Sequence, residues 1–424
     1  MKILIVGGGG REHAIAWKLS KENNVEKIYC APGNAGIAKV AQCVNISDSD
    51  IENLVKFAKE NNIDLTVVGP EVPLVNGIVD EFEKKGLKIF GPNKECSTFE
   101  GSKAFSKDFM IRHNIPTAKY KEYTNLDEAI SEIDSFGYPV VIKADGLAAG
   151  KGVVIPENRE DAINTLREIM SDKKFGSAGE KIVVEEFLSG IETSILAFVD
   201  NDTIVPMVSA KDHKKVYNFE KGPNTGGMGT FSPSEIYTDE LSKEISEKVL
   251  NRTLEGFKKD NLNYKGVLFI GLMITEDGPK VLEYNVRFGD PETQSVLFRL
   301  ETDLHKIMEA ILDNKLKDIE INYKNEEAVC VMLTSGGYPE DYEKGKVITG
   351  LEDLDEDIVV FHSGTKMLDG NLVTNGGRVI GITTSAESVE EAAKKVYKNI
   401  EKINFEGMHY RTDIGIKFCE EISF

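Results

Sequence analysis

The sequence predicts an α/β protein whose first domain is a doubly wound parallel sheet. Strand-sized apolar runs alternate with amphipathic helical stretches over the first hundred residues, and each predicted strand ends in a loop that contains Gly or Pro. Apolar residues make up 41% of the 424 residues, which is enough to bury a sizeable core and is unlike a disordered chain. At roughly 150 residues per domain, this length predicts two to three domains.

The N-terminal elements alternate between strand and helix. Strands are predicted over residues 3–6, 28–31, 65–68 and 88–90, and helices over residues 11–21, 51–61 and 74–85. In a parallel sheet, ligands bind beyond the carboxyl ends of the strands. The loops at those ends, residues 7–10, 31–36, 69–71 and 91–92, are therefore candidate ligand-binding segments.

A small β-rich insert and a C-terminal region follow the first sheet. After a predicted helix over 103–113, predicted strands over 138–144 and 152–155 flank a Gly-rich loop, and a helix over 159–170 and a strand over 181–185 complete the insert. A strand pair is predicted over 266–275 and 280–285. The last ~100 residues are predicted to contain strands over 328–334, 358–362 and 379–384 and a helix over 388–402.

Charge and cysteine content exclude several classes of protein. Acidic residues outnumber basic ones 71 to 51, and the net charge of −20 works against binding along a nucleic-acid backbone. The five cysteines are far apart, and their spacing indicates neither a zinc site nor a disulfide framework. No apolar run approaches the ~18 residues that span a bilayer, and no signal-peptide cleavage site follows the first strand. We expect a cytoplasmic monomer with no nucleic-acid or membrane partner.

Two Gly-rich segments approach nucleotide-binding fingerprints without matching them. Residues 7–10 are all Gly, but the third Gly of G-x-G-x-x-G is missing, which argues against a dehydrogenase that binds NAD there. In residues 145–152, Gly146 and Gly150 are separated by three residues and Lys151 precedes Gly152, so the segment is not a P-loop. We interpret it as a loop between two strands that folds over phosphates as a mobile lid, above Lys143; a plain hairpin is the alternative.

Three alternating polar residues form a more specific pattern. Glu283, Asn285 and Arg287 alternate, so a strand projects all three from one face. A carboxylate and an amide oxygen are hard ligands that suit Mg²⁺. An arginine beside them can bind a phosphoryl or acyl oxyanion. Because apolar residues flank this group, the pattern favours a functional site over a solvated surface.

Taken in order, these motifs resemble the ATP-grasp superfamily and, within it, the phosphoribosylamine–glycine ligase family. The resemblance covers nearly the whole chain and is carried by segments 6–13, 32–36, 69–74, 101–105, 143–152, 222–229 and 287–292. The last segment, Arg-Phe-Gly-Asp-Pro-Glu, is the most specific. The resemblance implies a Rossmann-like N-terminal domain over 1–101, an ATP-grasp domain over 102–325 with a lid subdomain over about 120–190, and a C-terminal α/β domain over 326–424.

The resemblance also implies an activity. ATP, glycine and 5-phosphoribosylamine would give glycinamide ribonucleotide, ADP and phosphate through glycyl phosphate, with Mg²⁺ or Mn²⁺ as the metal. The chemistry is consistent, because a carboxylate must be phosphorylated before an amine attacks it, and the acyl phosphate must be shielded from water. Another ATP-grasp carboxylate–amine ligase or a carboxylase is the alternative, with the same ATP residues and a different acceptor pocket.

Site residues follow from the same resemblance. ATP would contact Lys103, Lys143, Gly146, Gly150, Lys151, Gly152, Glu185, Glu186, Phe187, Leu188 and Glu192. Glu283 and Asn285 would bind the metal, with Asp290, Glu292 or water completing its shell. Arg287, Lys143 and Asp290 would be catalytic. The substrates would contact Gly33, Asn34, Gly36, Glu71, Asp212, Arg287, Asp290, Lys366 and Arg378, with Lys366 and Arg378 on the 5-phosphate.

Overall fold

A computed structural model, which describes residues 1–147 and 152–416, confirms the predicted α/β class and the parallel sheet at the N-terminus. The first strand of the chain lies at the centre of that sheet with two strands on either side, the order of a doubly wound fold. From edge to edge the strands are Gln42–Cys43, Lys27–Pro32, Lys2–Gly7, Leu65–Val68 and Ile89–Phe90, and every adjacent pair is parallel. Their carboxyl ends therefore meet at one edge.

Both faces of this sheet are buried, because Leu4 and Val6 pack into one core and Ile3 and Ile5 into another. The helices around the sheet are Gly10–Leu19, Ile51–Glu60, Glu71–Val75, Ile78–Glu83 and Lys94–Gly101. The predicted single helix over 74–85 is wrong. It is replaced by two short helices that are separated at Gly77, whose φ of +89° favours glycine and interrupts a right-handed helix. The short strand at 42–43 and the helix at 94–101 were not predicted.

An antiparallel sheet with its own core follows helix Lys103–Arg112; we call it the insert sheet. Its strands, in spatial order, are Tyr120–Tyr123, Ile182–Glu186, Val140–Ala144 and Val153–Val154. Helices Leu126–Glu132 and Arg159–Met170 contribute to a core that is separate from the others. The Gly-rich segment joins two paired strands, as predicted, but its residues 148–151, including Gly150 and Lys151, lie outside the described residues.

The central sheet is also antiparallel and carries the predicted strand pair. Its strands, in spatial order, are Ile204–Pro206, Ile191–Val199, Gly266–Thr275 and Gly278–Asn285. Gly271 lies opposite Glu283, where an added Cβ would come within 3.2 Å of the Glu283 side chain. Helices Asp239–Ile245, Asn251–Lys259, Glu292–Arg299 and Leu304–Leu312 lie in the same part of the chain.

A five-stranded antiparallel sheet completes the fold. Its strands, in spatial order, are Lys211–Asp212, Gly229–Ser232, Glu327–Thr334, Arg378–Ala386 and Val359–His362, and helix Val389–Ile400 packs on it. Two of these strands come from the middle of the chain and tie it to the C-terminal region. Two small hairpins pair Lys215–Tyr217 with Lys221–Asn224 and Thr365–Leu368 with Asn371–Thr374. The three domain boundaries stay a prediction.

The central sheet shares its core with the first sheet, so the two are packed together. Leu4 and Val6 of the first sheet belong to the same cluster as Leu268 and Ile270 of the central sheet. This continuity brings the ends of both sheets to a common region beside the insert sheet. Within the part of the chain that the structure describes, no helix is long and apolar enough to cross a lipid bilayer.

Candidate active site

One cavity of about 560 Å³ is lined by residues from the N-terminal region and from the insert, central and C-terminal sheets. Arg11 and Glu71 come from the N-terminal region, Lys143 from the insert sheet, Glu283 from the central sheet and Arg378 from the C-terminal sheet. Most of the predicted site residues line it: Glu71, Lys103, Lys143, Gly146, Gly152, Glu185, Glu186, Phe187, Leu188, Glu192, Asp212, Glu283, Asn285, Arg287, Asp290 and Arg378. Residues as far apart in the sequence as Arg11 and Arg378 thus line one cavity.

Three lysines of the cavity wall lie close together. Helix Lys103–Arg112 carries Lys103 and Lys107 one turn apart, on the same face. Lys103 Nζ donates a hydrogen bond of 3.1 Å to the carbonyl of Gly146. The carboxylate of Glu185 lies between the other two lysines, with one oxygen 2.8 Å from Lys107 Nζ and the other 2.8 Å from Lys143 Nζ. This wall is therefore suited to an anionic ligand.

Lys107 was missed by the sequence analysis. Its side chain is only 3% exposed, and its Nζ also donates a hydrogen bond of 2.7 Å to Thr117 Oγ1. Burial lowers the pKa of Lys107 to about 8, although the carboxylate of Glu185 acts in the opposite direction. The available signal was its spacing of four residues from Lys103 on a predicted helix.

Glu283 and Asn285 lie side by side at the end of a central strand. Glu283 Oε1 is 3.5 Å from the amide group of Asn285. When the amide is oriented so that its nitrogen donates to Tyr284 O and Glu100 Oε1, its oxygen faces Glu283. Burial acts to raise the pKa of Glu283, but the ammonium groups of Lys214, Lys143 and Lys103 outweigh burial and hold that pKa below its usual value. An ionised carboxylate beside an amide oxygen fits a hard divalent cation.

Further protein ligands for such a cation are not evident in residues 1–147 and 152–416. No group of three or more His, Cys, Asp and Glu side chains in those ranges could hold a metal ion. Mg²⁺ commonly binds one or two carboxylates and completes its shell with substrate phosphates and water. Two donors from the protein are therefore sufficient for a metal that arrives with a nucleotide.

Arg287 lies between two carboxylates. Its Nη2 donates a hydrogen bond of 2.8 Å to Glu100 Oε1, and its Nε is 3.6 Å from Glu71 Oε2. The second oxygen of Glu100 accepts a 2.8 Å bond from the N–H of Val286, so the loop and the guanidinium are held together. Burial acts to raise the pKa of Glu71, but Arg287 and Arg11 outweigh it and lower that pKa. Glu100 is a second residue that the sequence analysis missed.

Arg378 connects the C-terminal sheet to the cavity. Its Nη2 is 2.8 Å from Asp290 Oδ2, and its Nη1 donates a 2.8 Å bond to the backbone carbonyl of Asp290. It also donates to the carbonyl of Gly226. Gln294 donates to the other carboxylate oxygen of Asp290 at 2.7 Å. Much of the hydrogen-bonding capacity of Arg378 is thus used to hold Asp290 and the 226–227 turn in place.

The half-buried Asp212 and the buried Glu292 form an acidic pair. Burial and the charge of Glu292 raise the pKa of Asp212 well above its ordinary value, and burial likewise raises the pKa of Glu292. Among the described residues, none forms a hydrogen bond with the buried Oδ1 of Asp212. A cation that entered this part of the cavity would favour the ionised forms of these two carboxyl groups.

Lys214 lies close to this pair and is a third residue that the sequence analysis missed. Its Nζ is 2.5 Å from Glu192 Oε1. Burial acts to lower the pKa of Lys214, but Glu192, Glu283 and Asp212 outweigh it and raise that pKa. Lys214 therefore carries positive charge between the predicted ribose-binding carboxylate and the predicted metal-binding carboxylate.

The Gly-rich turn at residues 7–10 accommodates a side chain of the protein. A Cβ added at Gly7 or Gly69 would lie within 2.7 Å of the Glu12 side chain. Glu12 accepts hydrogen bonds from the N–H of Gly9 at 2.6 Å and from Arg11 Nε at 2.7 Å. These glycines are thus explained by close packing around Glu12, which orients Arg11 at the cavity wall.

Four predicted substrate residues lie outside the cavity lining. Asn34 Nδ2 donates to the carbonyls of Gly8 at 2.9 Å and His362 at 2.8 Å, and its Oδ1 accepts from the N–H of Gly36. A Cβ at Gly36 would lie 2.2 Å from the His362 ring, and Gly33 packs against Cys43. Lys366 is exposed on its hairpin. Asn34 and Gly36 thus contact His362 and join the N-terminal and C-terminal regions.

Comparison with known proteins gives a consistent result over the whole chain. The N, ATP-grasp and C domain profiles of the phosphoribosylglycinamide synthetase family match residues 1–100, 101–293 and 328–417. A phosphoribosylamine–glycine ligase from Caldanaerobacter subterraneus subsp. tengcongensis is 52% identical over 415 residues, which cover 98% of this chain and 99% of the relative.

Solved structures show the same similarity. The phosphoribosylamine–glycine ligase of Thermotoga maritima aligns with a TM-score of 0.85 and 35% identity, covering 98% of this chain and 100% of that one. The biotin carboxylase domain of Hydrogenobacter thermophilus 2-oxoglutarate carboxylase, solved with MgADP and bicarbonate, aligns with a TM-score of 0.74 and 17% identity, covering 96% and 91%. At that identity the second likeness shows a shared fold alone.

Proposed function

Because this chain belongs to the phosphoribosylglycinamide synthetase family of ATP-grasp ligases, we propose that its cavity joins glycine to 5-phosphoribosylamine. ATP is converted to ADP and phosphate, and the product is glycinamide ribonucleotide, an intermediate of purine biosynthesis. One observation carries the proposal: a single cavity brings together clustered lysines, the oxygen donors of Glu283 and Asn285, and Arg287. These are the groups needed to hold a polyphosphate, a metal and a growing oxyanion.

The reaction has two steps. A carboxylate oxygen of glycine attacks the γ-phosphorus of ATP, the bond between the β and γ phosphates breaks, and ADP leaves. The amine of phosphoribosylamine then attacks the carbonyl carbon of glycyl phosphate, loses a proton and displaces phosphate. Both steps concentrate negative charge on oxygen beside the reacting atoms, which a fixed guanidinium such as Arg287 can stabilise. The enclosing walls keep water from the acyl phosphate.

ATP binds along the wall that carries the lysines. Lys103 and Lys143 hold its phosphates, with Gly146 and Gly152 on either side of the Gly-rich segment. The adenine lies along residues 185–188, where the backbone N–H and C=O groups of the connector can bind its edge. Glu192 accepts from the ribose hydroxyls, a role compatible with its pairing to Lys214 because a carboxylate has several acceptor sites.

Glu283 and Asn285 hold a divalent cation, Mg²⁺ or Mn²⁺, with the phosphates of ATP. When bound, the cation neutralises charge on the transferring phosphoryl group. The protein contributes an ionised carboxylate, because the surrounding ammonium groups keep the pKa of Glu283 low. The nearby lysines also explain why one carboxylate is enough, since they supply part of the positive charge that the phosphates require.

Glycine lies between groups of opposite charge. Arg287 and the adjacent lysines face its carboxylate, and Asp212 with Glu292 accepts its ammonium group. Support comes from the orphaned Oδ1 of Asp212 and from the raised pKa values of the acidic pair. A glycine ammonium would add positive charge beside these carboxyl groups and favour their ionised forms.

The acceptor enters from the side of the C-terminal sheet. Glu71 can accept hydrogen bonds from the ribose hydroxyls or the amine, and Asp290 from the amine. Arg378 binds the 5-phosphate, in keeping with its place on the cavity wall. Lys366 was predicted to bind the 5-phosphate together with Arg378, but it lies outside the cavity lining, and this position favours Arg378 as the phosphate ligand.

The products of the reaction test this function. Purified protein with Mg²⁺, glycine and freshly made phosphoribosylamine should release equal amounts of ADP and phosphate from ATP, and omission of either substrate should abolish the release. The Glu283→Gln variant should need more Mg²⁺ to reach half its maximal rate. AMP and pyrophosphate as products would contradict the proposal, and ADP release driven by bicarbonate instead of glycine would indicate a carboxylase.

A further inference from the structure

We infer that Lys107 is a positioning residue that acts through Glu185 to keep the ammonium group of Lys143 free to bind the phosphates of ATP. The starting observation is an unusual buried arrangement of charge in which two ammonium groups share one carboxylate. Lys107, Glu185 and Lys143 have side chains that are 3%, 2% and 8% exposed, and both nitrogen–oxygen distances are 2.8 Å. The inference rests on the proposed function only in taking the ligand to be ATP.

The two lysines are not equivalent. Lys107 is fixed on both sides, because its Nζ contacts Glu185 and donates to Thr117 Oγ1, which in turn donates a 2.6 Å bond to the carbonyl of Val281. Lys143 has a weaker second contact, a 3.3 Å bond to the carbonyl of Leu282, and is the more exposed of the two. Lys107 therefore belongs to the framework, and Lys143 is the lysine able to face a ligand.

Charge explains why a framework lysine is needed. Glu185 alone beside Lys143 would form a neutral buried pair, and such a pair holds its lysine strongly because few competing partners are present. With Lys107 on the other oxygen, the three groups carry a net charge of about +1 at neutral pH. The negative charge of Glu185 is then already balanced, and Lys143 can direct its charge to a phosphate.

The titration of Lys107 makes this role testable as a pH dependence. Burial lowers the pKa of Lys107 to about 8, and the charged groups that act on it are Glu185, Lys143 and Glu283. Above that pH Lys107 loses its proton, the arrangement becomes neutral, and Glu185 attracts Lys143 alone. The affinity for ATP should therefore fall as the pH rises through about 8, and the fall should vanish when Lys107 is replaced by a residue that does not titrate.

Binding of MgAMP-PNP, measured by calorimetry between pH 6.5 and 9, tests the inference without the labile amine. For the unaltered protein we expect the dissociation constant to rise about tenfold over this range, the change that ~1.4 kcal/mol represents. Lys107→Met should bind about tenfold more weakly at pH 7 and show no further rise, with little change in kcat at saturating ATP. Lys121→Met, a change at an exposed lysine of the neighbouring strand, is the matched control and should behave as the unaltered protein.

A double variant separates positioning from a simple structural role. Glu185→Gln removes the carboxylate that restrains Lys143, so Lys107→Met should have little effect on nucleotide affinity when Glu185→Gln is already present. Equal effects of Lys107→Met in both backgrounds would overturn the inference, as would a flat pH dependence in the unaltered protein. If Lys107→Met does not fold, the pH dependence of nucleotide binding by the unaltered protein still tests the inference. Failure of the unaltered protein to bind the nucleotide at any pH would instead contradict the proposed function.

Discussion

Arg287 combines a planar donor group with a fixed position, and both properties matter for its proposed role. Its guanidinium is held by Glu100 at 2.8 Å and by the nearby Glu71. Removal of one such donor from an oxyanion site costs about 2.7–4 kcal/mol, or roughly 10²–10³ in kcat. We predict a loss of this size for Arg287→Ala, measured as kcat with all substrates saturating. Arg287→Lys should also be poor, because a point charge cannot replace a bidentate fork.

The matched control is Arg112→Lys. Arg112 also pairs with two carboxylates, Asp108 and Asp260, but it lies at the surface away from the cavity. Its substitution should leave kcat within a factor of about two, as expected for an exposed ion pair. An Arg287→Ala variant with near-normal kcat would exclude Arg287 from the chemistry.

Replacement of Asp212 by Asn should raise the stability of the folded protein and weaken substrate binding. The folded-state pKa of Asp212 lies well above the ordinary value for Asp, so its contribution to stability is present at low pH and is lost as the pH rises through that folded-state pKa. Asp212→Asn removes this charge. We predict that its melting temperature at pH 8 exceeds that of the unaltered protein by about 2 °C, the effect of ~1 kcal/mol, and that the difference shrinks toward pH 5.

The same variant should bind glycine poorly. If Asp212 accepts the glycine ammonium, loss of a charged hydrogen bond should raise the KM for glycine by about tenfold or more, with the KM for ATP little changed. Thermal unfolding between pH 5 and 9 and steady-state kinetics measure the two effects. A lower melting temperature at every pH, or an unchanged KM for glycine, would count against the assignment.

Residues whose role depends on distant partners were the ones that sequence analysis could not find. Glu283, Asn285 and Arg287 were found because they alternate within one short segment. Lys107, Glu100 and Lys214 look like ordinary charged residues in the sequence, and their partners Glu185, Arg287 and Glu192 are 78, 187 and 22 residues away respectively. Only the fold shows which charges are buried together.

Two elements of the C-terminal region each carry a basic side chain that was predicted to bind the phosphate of phosphoribosylamine. The strand Arg378–Ala386 begins at the cavity wall, whereas the hairpin strand Thr365–Leu368 leaves Lys366 exposed. We predict that Arg378→Ala raises the KM for phosphoribosylamine by about 10- to 100-fold, equivalent to ~1.5–3 kcal/mol, and leaves the KM for ATP nearly unchanged. Lys366→Ala should have a much smaller effect on the KM for phosphoribosylamine.

Comparison of the KM values of these two variants for phosphoribosylamine shows which element binds the phosphate. A larger rise for Lys366→Ala would move the phosphate site to the hairpin. Unchanged values for both variants and for their combination would move it to the Gly33–Gly36 turn. Because Arg378 also fixes Asp290, Arg378→Lys is informative: a lysine can reach a phosphate but cannot hold both the carboxylate and the carbonyl of Asp290.

Helices and strands were predicted well where the apolar periodicity was strong, and poorly where a single backbone angle set the end of an element. The helix over 159–170 and the strands over 65–68 and 266–275 have the predicted bounds. The apolar spacing over 74–85 continues across Gly77, so periodicity alone could not reveal the break at its φ of +89°. The strand at 42–43 has two residues, too few for a period, and exists because it pairs with Lys27–Pro32.

At the scale of the whole molecule, the junction between the N-terminal and C-terminal regions depends on Gly36. The backbone of Gly36 is helical, with φ −78°, so its conformation alone would permit alanine. A Cβ would, however, lie 2.2 Å from the His362 ring. We predict that Gly36→Ala destabilises the protein by about 1–3 kcal/mol and that His362→Ala in the same chain restores part of the loss. Denaturant unfolding of the two single variants and the double variant measures this coupling, and purely additive effects would contradict it.

Arg378 has a consequence for the newly made chain. The residues proposed to hold ATP and the metal all precede residue 288, whereas the cavity wall is completed only by a residue 91 positions after Arg287. Ribosomes add about 5–20 residues per second, so several seconds separate the synthesis of these two parts. During that interval the growing polypeptide has its nucleotide-binding residues and lacks the arginine that fixes Asp290. On the role proposed for Arg378, ligation waits until residue 378 has been added, and a polypeptide cut short before that residue lacks the arginine.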